Sequence, residues 1–185
     1  MSTLRLAEHI ARCLDEDGLD YAIGGALALT VHALPRDTAD VDISIFARED
    51  ELPRVFDALE RAGVMIDRAD ATRSQARIGM FTGRAGKRLV DVFLHSHPHF
   101  EAMHQRRVRA TTPSGASLWF ISAEDLCVTK LWFARPKDIA DLEHVFAAHP
   151  ELDVEYVRSW IAQLTPAGDR RLAILHELQR RFIPT

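Results

Sequence analysis

A chain of 185 residues with 47% hydrophobic content and no low-complexity tract is long enough for one buried core, which excludes a disordered segment and makes one compact unit the default. Its 23 basic and 27 acidic residues leave a formal net charge of −4, so binding nucleic acid through bulk positive charge is excluded and only local basic groups remain for such a role. No apolar run approaches the roughly 18 residues of a membrane span, the N-terminus has no signal-peptide pattern, and Cys13 and Cys127 sit singly in apolar helical patterns, so a cytoplasmic protein with reduced core thiols is expected.

In chain order, Leu4, Leu6, Ile10, Cys13 and Leu14 recur near helical spacing, which predicts a helix over 3–16 capped by Ser2 or Thr3 and stopped at Asp17-Gly18. Residues 20–23 read as a short strand. A Gly24-Gly25 turn follows, then a short apolar helix to about residue 34, ended by Pro35 because the residue before proline disfavours helical dihedrals. The loop 35–39 leads into a strand that opens with Asp40-Val41-Asp42. Leu52, Val55, Phe56 and Leu59 form the stripe of a helix over 49–62 that stops at Gly63.

Residues 64–67 and 76–81 read as short strands, with 82–87 as the turn into a buried strand over 88–94. The last two strands form an antiparallel hairpin, so the sheet is mixed. After a His-rich loop and a short helix, 107–112 and 116–121 read as extended segments. Ser122-Ala-Glu-Asp125 then opens a helix as a capping-box variant, and helices over 137–148, 153–164 and 167–182 complete the chain. The expected fold class is α+β, a mixed sheet packed with helices (1–121) followed by C-terminal helices (122–185), together one compact unit.

The chemistry concentrates around the Gly-Gly turn. Alternate residues of a strand point to opposite faces, so Asp40 and Asp42 share one face while Val41, Ile43 and Ile45 take the other. Two carboxylates beside a glycine turn at a helix N-terminus suit a divalent metal, while backbone N–H groups and the helix dipole suit phosphate. Asp91 lies in a strand otherwise made of Leu, Val and Phe, where a lone buried carboxylate costs several kcal/mol, so it must be paired, metal-liganded or protonated. Two readings stay open: an ion pair with Arg88 or Arg36, or a water-facing strand end, against a third metal carboxylate beside Asp40 and Asp42.

The ordered set Gly24-Gly25, Arg36-x-Thr38-x-Asp40-Val-Asp42-Ile, Leu89-Val-Asp91-Val, Ser122-x-Glu-Asp125-Leu with Lys130, and Arg135-Pro-Lys-Asp138 resembles the polymerase-beta-like nucleotidyltransferase superfamily, in particular its small prokaryotic branch of AbiEii-type toxins and minimal nucleotidyltransferases. The resemblance covers residues 20–146. It implies a nucleotidyltransferase-type sheet, NTP as donor, two Mg²⁺ ions on Asp40, Asp42 and Asp91, and nucleotide contacts from Gly24, Gly25, Arg36, Thr38 and Lys130. The acceptor hydroxyl it implies belongs to an RNA end, a protein side chain or a small molecule, and an antitoxin is an implied partner. Gly25 stands where many active members have Ser, and Arg77-Ile-Gly79 stands in for a Lys-x-x-Gly-like element. The rival reading is a non-catalytic nucleotidyltransferase-fold protein that binds a nucleotide or a partner protein. A third is a scaffold with incidental acids.

Several polar groups keep two readings. Arg36 either closes on phosphate or holds the Asp40 loop, and Asp138 and Asp141 either orient Lys130 or cap and solvate their helix. His95, His97, His99 and His104 form either a polar loop at the mouth of the site or a zinc set. The arginine groups at 106–109, 170–171 and 180–181 are either solvated faces or contacts for an RNA backbone.

Overall fold

The computed structural model describes residues 2–94 and 97–183. Helix α1 (Thr3–Glu16) is capped by Ser2, whose hydroxyl accepts from the Arg5 amide, and it buries Leu6, Ile10, Cys13 and Leu14. Each fully buried Leu or Ile contributes about 1.5–3 kcal/mol, so this one face sets the helix orientation. Strand β1 (Tyr21–Ile23) runs into helix α2 (Gly25–His32), and β2 (Val41–Ile45) follows an irregular segment. A single 3-10 turn, Glu49–Glu51, leads into α3 (Leu52–Arg61), whose Leu52, Val55, Phe56 and Leu59 are buried as the stripe requires.

Where residues 64–67 and 76–81 read as strands, the structure differs. Met65 makes only an isolated antiparallel bridge with Arg84. Residues 68–78 instead form helix α4 (Arg68–Ile78), capped by the Asp67 carboxylate on the Asp70 amide and ended by Gly79 in the left-handed conformation at φ 72°. Only Ala71 of this helix is buried, so it carries no apolar stripe for periodicity to detect. The hairpin is β3 (Met80–Ala85) with β4 (Arg88–Leu94), in register Thr82↔Asp91 and Ala85↔Arg88, so its turn is only the two residues 86–87.

Helix α5 (His99–Arg106) precedes the antiparallel pair β5 (Val108–Thr111) and β6 (Ser117–Phe120). The six-stranded sheet has the order β3-β4-β2-β1-β6-β5, with β2/β4 and β1/β6 parallel and the other pairs antiparallel. This is the mixed α+β architecture expected from the pattern. Helices α6 (Ala123–Phe133), α7 (Pro136–Ala148), α8 (Val154–Leu164) and α9 (Arg170–Phe182) complete it. Ser122 caps α6 as predicted: its Oγ accepts from the Asp125 amide at 3.1 Å and donates to Asp125 Oδ2 at 2.7 Å.

Two compact units result, one of residues 1–27 and 37–121 and one of residues 28–36 and 122–185. The first holds the sheet with α1, α3, α4 and α5. The second holds α6 to α9 with most of α2 and the segment reaching Arg36. Among the described residues no helix is long and apolar enough to cross a membrane. Cys13 and Cys127 are both buried free thiols, and burial pushes the Cys127 thiol well up, as expected for inert core residues.

Candidate active site

In the first unit the parallel pairing of β2 with β4 sets Asp42 directly opposite Asp91. Antiparallel pairing sets Thr82 opposite Asp91 on the other side, and the Gly24 amide donates to the Asp42 carbonyl at 2.9 Å. Directly opposed residues project to the same face of a sheet, and neighbouring strands lie about 4.8 Å apart. Thr82, Asp91, Asp42 and Gly24 therefore form one row across four adjacent chain segments. Val41, Ile43, Val90 and Val92 point the other way into the core and are fully buried, which fixes the register: a one-residue slip would bury the acids and expose the valines.

Asp91 is half-buried, and its Oδ1 accepts from the Thr82 hydroxyl at 2.7 Å. Thr82 lies in β3 and not in the turn expected over 82–87, and the hairpin register sets it opposite Asp91. The ion pair of Asp91 with Arg88 does not form, since the Arg88 guanidinium donates to Thr3 Oγ1 at 3.1 Å.

Gly25 begins α2 at φ +55°, and a Cβ built there would lie 1.9 Å from Asp42 Oδ2 and 2.9 Å from Asp42 Cβ. The Asp42 carboxylate thus rests on the bare Cα of Gly25. A left-handed φ already disfavours any side chain, and here the space is taken as well. The absence of a serine hydroxyl at position 25 has a steric cause in this arrangement.

Asp40 lies just upstream of β2 and is half-buried. Thr38 shapes its approach: the Thr38 hydroxyl donates to the Asp40 carbonyl at 3.2 Å and accepts from the Asp40 amide at 3.3 Å, and the Thr38 carbonyl accepts from Thr3 Oγ1 at 2.7 Å.

The second unit holds the predicted cationic residues in a different state. Lys130 is only 5% exposed, and its Nζ lies 2.6 Å from Asp141 Oδ2 and 3.5 Å from Asp138 Oδ1. Arg36 closes on Asp141 with two hydrogen bonds, Nε to Oδ1 at 2.8 Å and one terminal nitrogen to Oδ2 at 2.9 Å. Arg135 donates to Asp138 Oδ2 at 2.6 Å through Nε and at 3.1 Å through its backbone amide. Lys130 is therefore neither a solvated helix lysine nor a mobile point charge.

Burial alone would raise the Asp141 carboxyl, but hydrogen bonds from Arg36 and Lys130 outweigh it and hold the pKa below the ordinary carboxylate value. Asp138 is held down in the same way, against burial, by Arg135 and Lys130. Arg36, Lys130 and Arg135 thus meet Asp138 and Asp141 in one network. Asp125 is wholly buried and accepts from the Tyr156 hydroxyl at 2.7 Å, an internal brace between α6 and α8.

Residues 3–176 match the model of a family described as a nucleotidyltransferase of unknown function, DUF6036. The chain belongs to this family. The resemblance to polymerase-beta-like nucleotidyltransferases thus holds, and the fold carries it further. The solution structure of the antibiotic-resistance factor ANT(2'')-Ia superposes with TM-score 0.59 at 17% identity, covering 98% of this chain and 100% of that one. The crystal structure of the lincosamide antibiotic adenylyltransferase LnuA gives 0.54 at 15% identity, covering 78% and 98%. ANT(2'') in complex with adenylyl-2''-tobramycin gives 0.53 at 15% identity, covering 97% and 99%. At these identities the likeness is one of fold. No curated protein matches the sequence.

In this nucleotidyltransferase no three His, Cys, Asp or Glu side chains among the described residues converge as a ready metal-ligand set. Asp42 and Asp91 nonetheless present hard oxygen donors from neighbouring strands, the donor type and spacing that suit Mg²⁺ with water completing its shell. Of the histidines, His95 lies outside the described residues. The His97 ring Nδ1 accepts from the His99 amide at 3.2 Å, His99 is buried, and His104 lies 3.0 Å from Asp20. Several of the arginines have partners too. Arg107 pairs with Asp20 at 2.8 Å and stacks over Trp119, Arg171 donates to the Leu131 and Trp132 carbonyls, and Arg180 and Arg181 pair with Glu177 and Glu143. Arg77 is exposed at the end of α4.

Proposed function

We propose that this nucleotidyltransferase transfers NMP from an NTP to an acceptor hydroxyl, with Asp40, Asp42 and Asp91 holding divalent metal. The observation that supports this most directly is the cross-strand row of Thr82, Asp91, Asp42 and Gly24. Magnesium, bound there, would supply charge neutralisation of the triphosphate and lower the pKa of the attacking hydroxyl. The acceptor oxygen forms a bond to the α-phosphorus, the bond to the bridging oxygen breaks, and pyrophosphate leaves with that electron pair.

The chain's own residues supply position and proton management. Thr82 binds Asp91 Oδ1 and leaves Oδ2, without a hydrogen-bond partner among the described residues, to take the acceptor proton. Gly24 and Gly25 bring bare backbone to the phosphates at the start of α2. Thr38 fixes the entry of Asp40. Of the acceptor classes, a small molecule draws support by analogy from the antibiotic-modifying fold neighbours; RNA ends and protein side chains remain within the reading, as does a toxin with an antitoxin partner.

Incubation with α-labelled NTPs, Mg²⁺ and panels of small hydroxyl compounds, RNA and protein tests it. Metal-dependent label transfer is expected, falling by about 10²–10⁴-fold in Asp42→Asn and Asp91→Asn. Labelling that is equal in these variants, or none over the full panel, would sink the proposal. A second reading, favoured by Gly25 offering only backbone at the start of α2, is a non-catalytic protein that binds a nucleotide or a partner protein. Calorimetry separates the two, since NTP and Mg²⁺ binding with no labelling supports this alternative.

A further inference from the structure

Beyond the carboxylates, β2 leads to a cavity of about 460 Å³ within the first unit. Its place follows from the strand itself. Ser44 pairs with Ala22, and the Phe46 amide donates to the Asp20 carbonyl at 2.8 Å, so the ladder continues through residue 46. Asp42, Ser44 and Phe46 therefore share one face, and Phe46 stands roughly 13 Å along the strand from Asp42. The face that presents the acids at one end presents an aromatic wall at the other.

The wall is apolar: Phe46 meets Phe100 edge-on at 6.3 Å, and Leu52 and Leu94 complete it. The rim is acidic. Glu49 and Glu101 are exposed there; Glu101 accepts from the Gln105 amide at 2.8 Å, and the Glu49 carboxylate has no hydrogen-bond or ion-pair partner among the described residues. The other charged groups at the rim are already answered: Arg48 is paired with Asp50, and His104 stacks on Phe46 at 4.5 Å with its Nε2 on Asp20 at 3.0 Å. The volume lies in the range of small-ligand sites, where apolar walls supply burial and a few polar groups fix orientation.

We infer that this cavity binds a small amphipathic organic cation, one or two rings carrying an amine, and that the binding needs neither nucleotide nor metal.

The test is therefore free of nucleotide and metal. Backbone amides of the full chain are followed by NMR during titration with tyramine and, separately, with 4-hydroxyphenylacetate, which has the same ring and hydroxyl but the opposite charge. Tyramine should give saturable shifts at Phe46, Leu52 and Phe100, with the dissociation constant rising about fivefold in each of Glu49→Gln and Glu101→Gln. Absence of saturable shifts to millimolar concentration, or equal binding of the acid, overturns the inference while leaving the transferase reading untouched.

Discussion

The two units place their charged residues by opposite means. In the first, Asp42 and Asp91 are positioned by strand register, with the valines and isoleucines behind them and a glycine beneath one carboxylate. Among the described residues only Thr82 is a side-chain partner of Asp91, so much of that acid's bonding capacity stays open. In the second, Lys130, Asp138 and Asp141 are positioned by each other and by Arg36 and Arg135. Backbone placement leaves side-chain valence for a ligand, whereas charge placement consumes it. The first arrangement should break by geometry and the second by charge.

The largest expected effect tests the charge-held unit. Asp141→Asn keeps the shape and removes the charge that faces Arg36 and Lys130, and leaving the buried Lys130 undercompensated should cost about 3–5 kcal/mol in urea unfolding. An unchanged urea midpoint would show that the network is not what holds this unit. The same carboxylates give it a pH signature. Since the folded pKa of Asp138 and Asp141 is depressed, their stabilisation is fully present above the unfolded value of about 3.9 and is lost as pH falls through the lower folded value. Helix content followed by circular dichroism should fall in that acid range, and Asp141→Asn should flatten the response.

Next comes the register-held site. Gly25→Ala puts a Cβ where Asp42 Oδ2 lies, and a displacement of about 1 Å should lower nucleotidyl transfer about 10²-fold or more while the sheet persists. Full activity in Gly25→Ala would mean that Asp42 works from another position. Thr82→Val removes the hydroxyl from Asp91 at nearly constant volume, and a hydrogen bond to a charged group is worth about 1.5–3 kcal/mol, so transfer should fall about tenfold.

The smallest effect concerns the junction of α6 and α7. Ala134 is the one non-glycine among the described residues with positive φ, at 47°, and it ends α6 by donating to the Lys130 carbonyl at 2.8 Å. Ala134→Gly should stabilise the second unit by about 1 kcal/mol, read as a higher urea midpoint with no change in the pH response.

The register-held site was largely legible before the structure, because its determinants are local. Alternation placed Asp42 and Asp91 on strands with apolar reverse faces, and the Gly-Gly turn marked a helix start; pairing order alone had to be supplied. Thr82 escaped because the hairpin turn was drawn too long. Helix α4 escaped because it is stabilised by caps and the propensities of Ala, Arg and Gln, without an apolar face. The charge-held network was legible only in its members. Arg36 and Asp141 are 105 residues apart, and the pairing follows from neither period nor motif. The cavity is likewise a product of strand end, turn and helix, so no single stretch announces it.

The contact between Gly25 and the Asp42 carboxylate also has an evolutionary consequence. Positions 25 and 42 share one volume, so neither can drift independently. A lineage with this backbone can acquire a side chain at 25 only after 42 has been shortened or the turn has left the left-handed conformation. The order of those changes is then constrained as tightly as their identity: relatives carrying serine at the equivalent of 25 must differ in the seat of the acid, and transplanting that serine alone is a losing step.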